Sequence, residues 1–287
     1  MHHTRTRPLL AALAAVAVAA TGVVTSVAAA PTAEAAPSTI RVITHNIAKK
    51  PEALTKVIEV SKGDRMPGAE VVLLQEVCQS MLTRIEDKLG KAAFHVRRTN
   101  QGDCSDGVIG EAVVYTNKKA SVTRDSVDFS LAGQDQTYGM ACLNFTHNSR
   151  TTRACSTHLP AGKGTDRDAL RLAATGVIRD KARAWSFQNP VIVGGDFNSI
   201  PTARAMNRMY GVGPNHQGDF REISQTAGGG NDDRAGLFTI GRLSKNTDRK
   251  VDYVFAWKAK TRPSGGWVDT RFTPSNHRML FGAIPVA

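Results

Sequence analysis

The sequence predicts a layered α/β sandwich in a single domain, and three features of the chain after residue 35 support this. Short apolar runs rich in Val, Ile and Leu, typical of buried strands, alternate with segments whose apolar residues recur at helical spacing. Two strands are separated only by a tight turn, whereas others are separated by a predicted helix, so both hairpin and crossover connections are expected. The chain contains no internal repeat and no linker long enough to divide it.

The predicted elements follow in chain order. The predicted strands are Ile40–His45, Val71–Gln75, Ala112–Tyr115, Met140–Phe145, Thr151–Thr157, Val191–Val193, Val251–Ala256 and Met279–Ile284. The predicted helices are Pro51–Ser61, Met81–Leu89 and Asp166–Trp185. Gly63 and Gly90 are expected to end the first two helices. The longest helix is expected to bury one face formed by Leu170, Ala173, Ala174, Val177 and Ile178.

The first 35 residues are typical of a secretory signal peptide. Arg5 and Arg7 precede an uncharged run from residue 9 to residue 30, and Ala33-Glu34-Ala35 has the small-x-small pattern of a cleavage site. We therefore predict cleavage near Ala35, secretion, and one domain covering residues 36–287. An uncleaved membrane anchor is the alternative, because an apolar run of about 22 residues can span a bilayer.

The composition excludes several classes of protein and indicates the charge of the partner. Of the 287 residues 41% are apolar and 22% charged, which excludes a disordered or collagen-like chain. The net charge is +12, and loss of two arginines and one glutamate with the signal peptide leaves +11. This balance favours a polyanionic partner, nucleic acid first and an anionic lipid surface second. We expect a monomer without a protein partner. Candidate phosphate contacts are Lys118, Lys119, Arg124, Lys163, Arg167, Arg171, Arg242, Lys245, Arg249 and Lys250.

Four cysteines lie after the predicted cleavage site, and an even number in a secreted protein predicts two disulfides. Three connectivities exist. We favour Cys142 with Cys155, because the hairpin register would place them opposite each other, and this leaves Cys78 with Cys104 to tether a loop beyond a strand. Zinc binding is the alternative, although the chain has no Cys-x-x-Cys pair.

Polar residues that could take part in catalysis lie at the ends of predicted strands. They are Asn46, Gln75-Glu76, His158, Asp196-Phe197-Asn198, Asp252 and Asn276-His277. Any one of them, taken singly, is more typical of a cap or a turn. Their common position at strand ends is where binding and catalytic residues concentrate.

In this order the motifs resemble the endonuclease/exonuclease/phosphatase superfamily, and specifically its deoxyribonuclease-like branch. The most specific pieces are Leu74-Gln75-Glu76, Gly195-Asp196-Phe197-Asn198, and Asp252-Tyr253 followed by His277 near the end of the chain. The resemblance extends over residues 40–284. It implies a four-layer α/β/β/α sandwich of two mainly antiparallel sheets flanked by helices, and metal-dependent hydrolysis of phosphate esters.

The resemblance also implies a metal site. Glu76 would be the main metal carboxylate, and Asn46 would add an amide oxygen beside it. Asp196 and Asn198 would orient the attacking water and one phosphate oxygen. The cofactor would be a divalent cation, Mg²⁺ first and Ca²⁺ or Mn²⁺ as alternatives, because hard cations prefer oxygen ligands.

The two histidines would act on the phosphate. By resemblance, His277 would contact the phosphate and help to move the proton, while Asp252 holds its ring. His158 would lie across the phosphate near the leaving group. Glu111 would be the carboxylate partner of His158.

One residue departs from the family pattern. The family has Asp before the last histidine, whereas this chain has Asn276, which we expect to be a metal ligand that keeps an oxygen but lacks the charge. Three outcomes are open: an active enzyme with altered metal preference, a slower enzyme, or an inactive binding protein.

Three functions follow from these observations. The first is a secreted nuclease acting on DNA or RNA. The second is a secreted phospholipase C or sphingomyelinase, which would need an exposed aromatic hairpin, and the only candidate segment lies around Trp257–Trp267. The third is a non-catalytic binding protein, suggested by Asn276.

Overall fold

The computed structural model describes residues 38–63, 68–212, 215–225, 234, 236–241, 249–261, 266–268 and 273–286. The predicted signal peptide, its cleavage site and the candidate phosphate contacts Arg242 and Lys245 lie outside the described residues. No helix within the described residues is long and apolar enough to cross a membrane.

The strands are short and the helices few. In chain order the strands are β1 (Ser38–Asn46), β2 (Val71–Cys78), β3 (Lys91–Arg98), β4 (Ile109–Tyr115), β5 (Val122–Asp128), β6 (Gly139–His147), β7 (Arg150–His158), β8 (Val191–Asp196), β9 (Phe220–Glu222), β10 (Asp252–Trp257), β11 (Gly266–Val268) and β12 (Leu280–Val286). The helices are α1 (Pro51–Ser61), α2 (Leu82–Lys88) and α3 (Thr165–Ser186), with 3₁₀ segments at Gln79–Met81 and Arg204–Arg208.

These strands form two six-stranded sheets. The first has the order β11-β12-β1-β2-β4-β3 and the second the order β5-β6-β7-β8-β10-β9. The pairs β1–β2 and β7–β8 are parallel and the other pairs are antiparallel, so both sheets are mixed and mainly antiparallel.

The apolar side chains divide into layers. One core cluster joins the inner faces of the two sheets, with Val71 and Leu73 of β2 and Leu143 and Ile192 of the second sheet among its members. A second cluster packs α1 and α2 on the outer face of the first sheet, and a third packs α3 on the outer face of the second. The four-layer sandwich is therefore confirmed.

Both disulfides have the favoured pairing. Cys142 lies opposite Cys155 in the register of β6 and β7, and the two are bonded. Cys78, at the end of β2, is bonded to Cys104.

Two features differ from the sequence prediction. Strands β3, β5, β9 and β11 were not predicted, and all four are edge strands: β3 and β5 carry charged and polar residues among their apolar ones, and β9 and β11 are only three residues long. The buried face of α3 is rotated from the predicted one: Ala173 is exposed, while Arg171 is buried. Arg171 turns inward because its guanidinium donates to the carbonyl oxygens of Pro160 (2.8 Å) and Gly162 (3.0 Å).

Candidate active site

The predicted site residues converge at one edge of the sandwich because of how the central strands are paired. In the second sheet, Asp196 at the end of β8 lies between two neighbours in register, His158 of β7 and Asp252 of β10. In the first sheet, Asn46 at the end of β1 is in register with Gln75 of β2. Residues far apart in the chain are thereby brought to one place.

A β-bulge places Glu76 in the site. The register of β2 against β4 shifts between Leu74 and Val77, and Glu76 has φ of 53°. A positive φ is strained for a residue with a Cβ atom, and such strain is typical of functional sites. The side chain of Glu76 is 23% exposed, and Lys49 Nζ lies 3.8 Å from its Oε2. Lys49 also pairs with Asp103 at 2.9 Å. Glu76 is thus at the rim of the site.

Asn46, at the end of β1, contacts one carboxylate from each of the two sheets. Its Nδ2 lies 3.2 Å from Glu76 Oε1 and 3.2 Å from Asp196 Oδ2, while its Oδ1 accepts a hydrogen bond from the Ala48 backbone N–H at 2.9 Å. The Ala48 contact fixes which end of the amide is oxygen. The expected oxygen ligand is therefore turned away in this arrangement, and Asn46 instead acts as a donor that holds the two carboxylates together.

The loop after β8 fixes Asp196. Gly195 has φ of 143°, and a Cβ there would lie 1.9 Å from the Thr157 carbonyl oxygen, so only glycine fits between β7 and the start of the loop. Asp196 Oδ1 accepts a hydrogen bond from the Asn198 backbone N–H at 2.8 Å. Burial raises the pKa of Asp196 to about 7, and the positive charge of His277 opposes that rise.

His277 is held by Asp252, as the resemblance implied. Its Nδ1 donates to Asp252 Oδ2 at 2.9 Å, and its Nε2 lies 3.6 Å from Asp196 Oδ2. Burial alone would lower the pKa of His277, but Asp252 and then Asp196 raise it to about 9. The imidazole is therefore charged and its free nitrogen faces the centre of the site.

His158 lies on the other side of Asp196. Asn198 Nδ2 donates to His158 Nε2 at 3.0 Å and to the Leu159 carbonyl oxygen at 3.0 Å, and His158 Nε2 is 3.3 Å from Asp196 Oδ2. Burial, and secondarily Arg97, lowers the pKa of His158 well below its usual value. The imidazole of His158 is thus neutral at neutral pH.

Glu111 does not bind His158 directly as expected. Its Oε1 is 3.9 Å from His158 Nδ1, beyond hydrogen-bonding distance, and only 3.1 Å from Nε of Arg97. Burial raises the pKa of Glu111 to about 8, and Arg97 opposes the rise. Arg97 was missed by the sequence analysis because it lies on the unpredicted edge strand β3, and no local motif marks it.

The structure places two sets of residues differently from the sequence prediction: the expected metal ligand Asn276 and two of the candidate phosphate contacts. Asn276 is exposed and makes no hydrogen bond with any residue that the structure describes, so its role as a metal ligand stays a prediction. Among the candidate phosphate contacts, Arg171 and Lys250 are buried, and Lys250 Nζ pairs with Glu222 at 3.2 Å. Arg124 pairs with Glu86 at 2.9 Å. Burial therefore removes Arg171 and Lys250 from the set, whereas Arg124, whose side chain is 52% exposed, stays a predicted contact.

The residues of the site fit a hard divalent cation. The carboxylates of Glu76 and Asp196 converge on one amide nitrogen, and oxygen atoms of this type are the ligands that Mg²⁺ and Ca²⁺ prefer. Asp196, Asp252 and His277 also have ligand atoms within 4.8 Å of one another. That second group is less suited, because His277 is protonated and bound to Asp252, and only a neutral imidazole can bind a metal. Glu76 and Asp196 are the better pair.

Comparison with known proteins gives a consistent result. Residues 43–277 match the profile of the Endonuclease/Exonuclease/phosphatase family. No curated protein sequence matches the chain.

Several solved structures have the same fold. TDP2 of Danio rerio, complexed with a single-strand DNA product, is 13% identical with a TM-score of 0.65, and the match covers 87% of this chain and 100% of that one. The catalytic domain of human Nocturnin with bound sulfate is 18% identical with a TM-score of 0.61, covering 87% and 94%. An endonuclease/exonuclease/phosphatase from Beutenbergia cavernae is 17% identical with a TM-score of 0.65, covering 87% and 72%. At these identities the similarity establishes the fold.

Proposed function

This chain belongs to the endonuclease/exonuclease/phosphatase family, whose members are hydrolases acting on phosphate esters, and on that premise we propose that it is a secreted, metal-dependent nuclease. The observation that carries the proposal is the convergence of Glu76, Asp196, His158 and His277 at one edge of the two sheets. We assign each of these groups a separate role in the hydrolysis of a phosphodiester.

Glu76 and Asp196 would hold a divalent cation, with Asn46 keeping the two carboxylates in place. When bound, the cation supplies positive charge that neutralises the phosphoryl oxygens. It would also favour the charged form of Asp196, which burial alone disfavours. We propose Mg²⁺ as this cation, and comparison of the activity with Mg²⁺, Ca²⁺ and Mn²⁺ tests the choice.

Asp196 and Asn198 would orient the attacking water. The carboxylate of Asp196 lies within 3.6 Å of both imidazoles, where it can accept a proton from a water molecule bound between them. The oxygen of the water would attack phosphorus, the ester P–O bond would break with its electron pair passing to the leaving oxygen, the proton of the water would pass to the Asp196 carboxylate, and the leaving oxygen would take up a proton from solvent.

The two imidazoles would act differently because their protonation differs. The charged His277, held by Asp252, would donate its Nε2 proton to a phosphoryl oxygen and stabilise developing negative charge. The neutral His158 would lie beside the leaving oxygen. Glu111 lies on the Nδ1 side of His158, with Arg97 next to it, and both contribute to the electrostatic environment of the imidazole.

Two observations support nucleic acid as the substrate. The chain carries a net charge of +12, which attracts polyanions. A structural neighbour, TDP2 of Danio rerio, was solved with a single-strand DNA product.

Export is proposed from the sequence and supported by the cysteines. All four are paired in two disulfides, which persist in oxidising compartments. Expression of the full chain in a secreting host should release a protein that begins near Ala36. Retention of the uncleaved chain in the membrane would contradict secretion and leave the rest of the proposal intact.

The activity is tested with three substrates. The purified protein is incubated with supercoiled plasmid, with single-stranded RNA and with sphingomyelin vesicles, each with Mg²⁺, Ca²⁺, Mn²⁺ or a chelator. We expect cleavage of nucleic acid that requires a divalent cation and is absent in His277→Ala. Cleavage of lipid alone would assign the protein to the phospholipases C. Binding of plasmid without cleavage would favour a binding protein with an inactive site.

A further inference from the structure

A polar depression lies between α3 and the 3₁₀ segment Arg204–Arg208. We call it the arginine pocket. It is lined by Leu172 of α3 and by six polar residues, Thr202, Arg204, Asn207, Arg208, Asn215 and Gln217. None of these residues is acidic, and two of them, Arg204 and Arg208, are positively charged. The lining therefore has the character of an anion site.

Neither arginine is paired with a carboxylate among the residues that the structure describes. Arg208 is half-buried, and its Nε is shielded from solvent without a hydrogen-bond acceptor. Its guanidinium lies over Gly176 of α3, where an added Cβ would come 3.4 Å from Nη1. A glycine in a helix interior is destabilising relative to alanine, and here it leaves the helix surface open to the guanidinium. Burying this donor without an acceptor is costly, and the other guanidinium nitrogens of Arg208, which are not shielded, make no hydrogen bond or ion pair with a residue that the structure describes, so these are the groups that a ligand can reach.

The neutral residues of the pocket also present donors. Asn207 Oδ1 accepts from Arg234 Nη1 at 2.6 Å, which leaves the amide NH₂ of Asn207 as its remaining polar group. A planar guanidinium combined with amide donors is the arrangement that recognises tetrahedral oxyanions.

We propose that the arginine pocket binds a phosphate group. The inference stands on the pocket itself and does not require the proposed nuclease activity. A neighbouring depression shares Leu172 and Arg204 with the pocket and extends to Ser199, the residue after Asn198. The phosphate could therefore belong to a nucleic acid strand that continues from the candidate active site, or be a free phosphate ion.

The first experiment uses inorganic phosphate as the probe and measures the melting temperature. Phosphate stabilises many proteins through exclusion from their surface, so the informative quantity is the difference between variants. Arg150→Gln, at the turn between β6 and β7, is the matched control for loss of one charge. All variants are made in the His277→Ala background, which weakens phosphate binding at the candidate active site. In that background we expect phosphate to raise the melting temperature equally in the parent protein and in Arg150→Gln, and to raise it clearly less in Arg208→Gln and Arg204→Gln.

Arg208→Lys distinguishes a shaped site from a diffuse positive surface, because lysine keeps the charge and loses the planar fork. We expect it to lose most of the phosphate effect. A full phosphate effect in Arg208→Gln and Arg204→Gln would overturn the proposal, and so would a lysine variant that behaves like the parent protein. If Arg208→Gln does not fold, as judged by circular dichroism, Arg204→Gln carries the test alone.

The second experiment distinguishes a phosphate group of a nucleic acid strand from a free phosphate ion. Affinities for single-stranded oligonucleotides of about 3 and about 12 nucleotides are measured by fluorescence anisotropy in the presence of a chelator. If the pocket binds a strand, Arg208→Gln should weaken binding of the longer oligonucleotide about tenfold, as for a lost charged hydrogen bond, and leave the shorter one unchanged. If both affinities are unchanged while the phosphate effect is lost, the pocket is a free-phosphate site. A wild type that binds no oligonucleotide would count against the nuclease proposal only.

Discussion

The two sides of the candidate site differ in how firmly they are fixed. The second sheet contributes Asp196, Asp252 and His158, which are almost fully buried and contact one another or His277. The first sheet contributes Glu76 at the rim, with a 23% exposed side chain and a loose contact to Lys49 at 3.8 Å. The groups that we propose to transfer protons are thus enclosed, while Glu76, the proposed main metal carboxylate, can be reached from solvent.

This difference indicates a division of labour. The charge of each buried group shifts the pKa of its neighbours, and these shifts determine which groups are protonated. A rim carboxylate can exchange a cation without opening the core. We therefore expect substitutions of the buried residues to abolish activity at any metal concentration. Activity lost by substitution of Glu76 at the rim should be partly restored by a higher metal concentration.

The largest effect is expected for Asp196→Asn. Loss of the proton acceptor should lower kcat about a thousandfold. The melting temperature should not fall, because a buried charge is removed from a site that disfavours it. Steady-state cleavage of an oligonucleotide and a thermal melt are the measurements, with Asp180→Asn on the exposed face of α3 as the control. A rate near that of the wild type would refute the assigned role.

Glu76→Gln tests the rim and should have the second largest effect. Removing the negative ligand should lower activity about a hundredfold at a fixed metal concentration. Because the other ligand remains, raising the cation concentration should restore part of the rate, which it should not do for Asp196→Asn. Metal activation curves of the two variants check this. Equal behaviour of both would remove the distinction between the two sides.

Asn276→Asp adds a charge at the exposed position before His277. If this residue faces the cation, the midpoint of the metal activation curve should fall by about fivefold at most, the scale of an exposed charge pair. Asn117→Asp, in the exposed turn after β4, is a control for the added charge. An unchanged midpoint would mean that position 276 does not act on the metal.

The smallest effect concerns pH and stability in the absence of metal. The folded pKa of Asp196, about 7, exceeds the value of about 3.9 expected for an unfolded chain, so the folded state binds the extra proton between these values. The contribution of Asp196 to stability is therefore favourable at low pH and declines as pH rises from about 4 to about 7. Chemical denaturation with a chelator should show stability of the wild type falling relative to Asp196→Asn across that window. A difference that rises or stays constant would place the pKa of Asp196 below the window.

Much of the fold follows from local sequence. The helix Pro51–Ser61 begins and ends as predicted, and the pairing of Cys142 with Cys155 follows from the register of a hairpin with a short turn. In both cases the residues that decide the structure are close together in the chain. Edge strand β5 escaped prediction because its residues are mostly exposed and carry no apolar signal.

The site shows where local reasoning fails. Glu111 was matched to His158, but Arg97 from a neighbouring strand is its nearest partner, and a guanidinium arriving from an edge strand leaves no trace near Glu111 in the sequence. Likewise, Arg171 and Lys250 are as charged as any surface residue, and only packing turns them inward.

The sequence by itself determined which chemical groups the protein possesses and where its strands end, because residue type and hydrophobic period act over a few residues. Only the tertiary structure decided which groups meet, which end of the Asn46 amide faces the carboxylates, and which imidazole is charged. Those properties depend on burial and on contacts between atoms more than a hundred residues apart, such as Asn46 and Asp196.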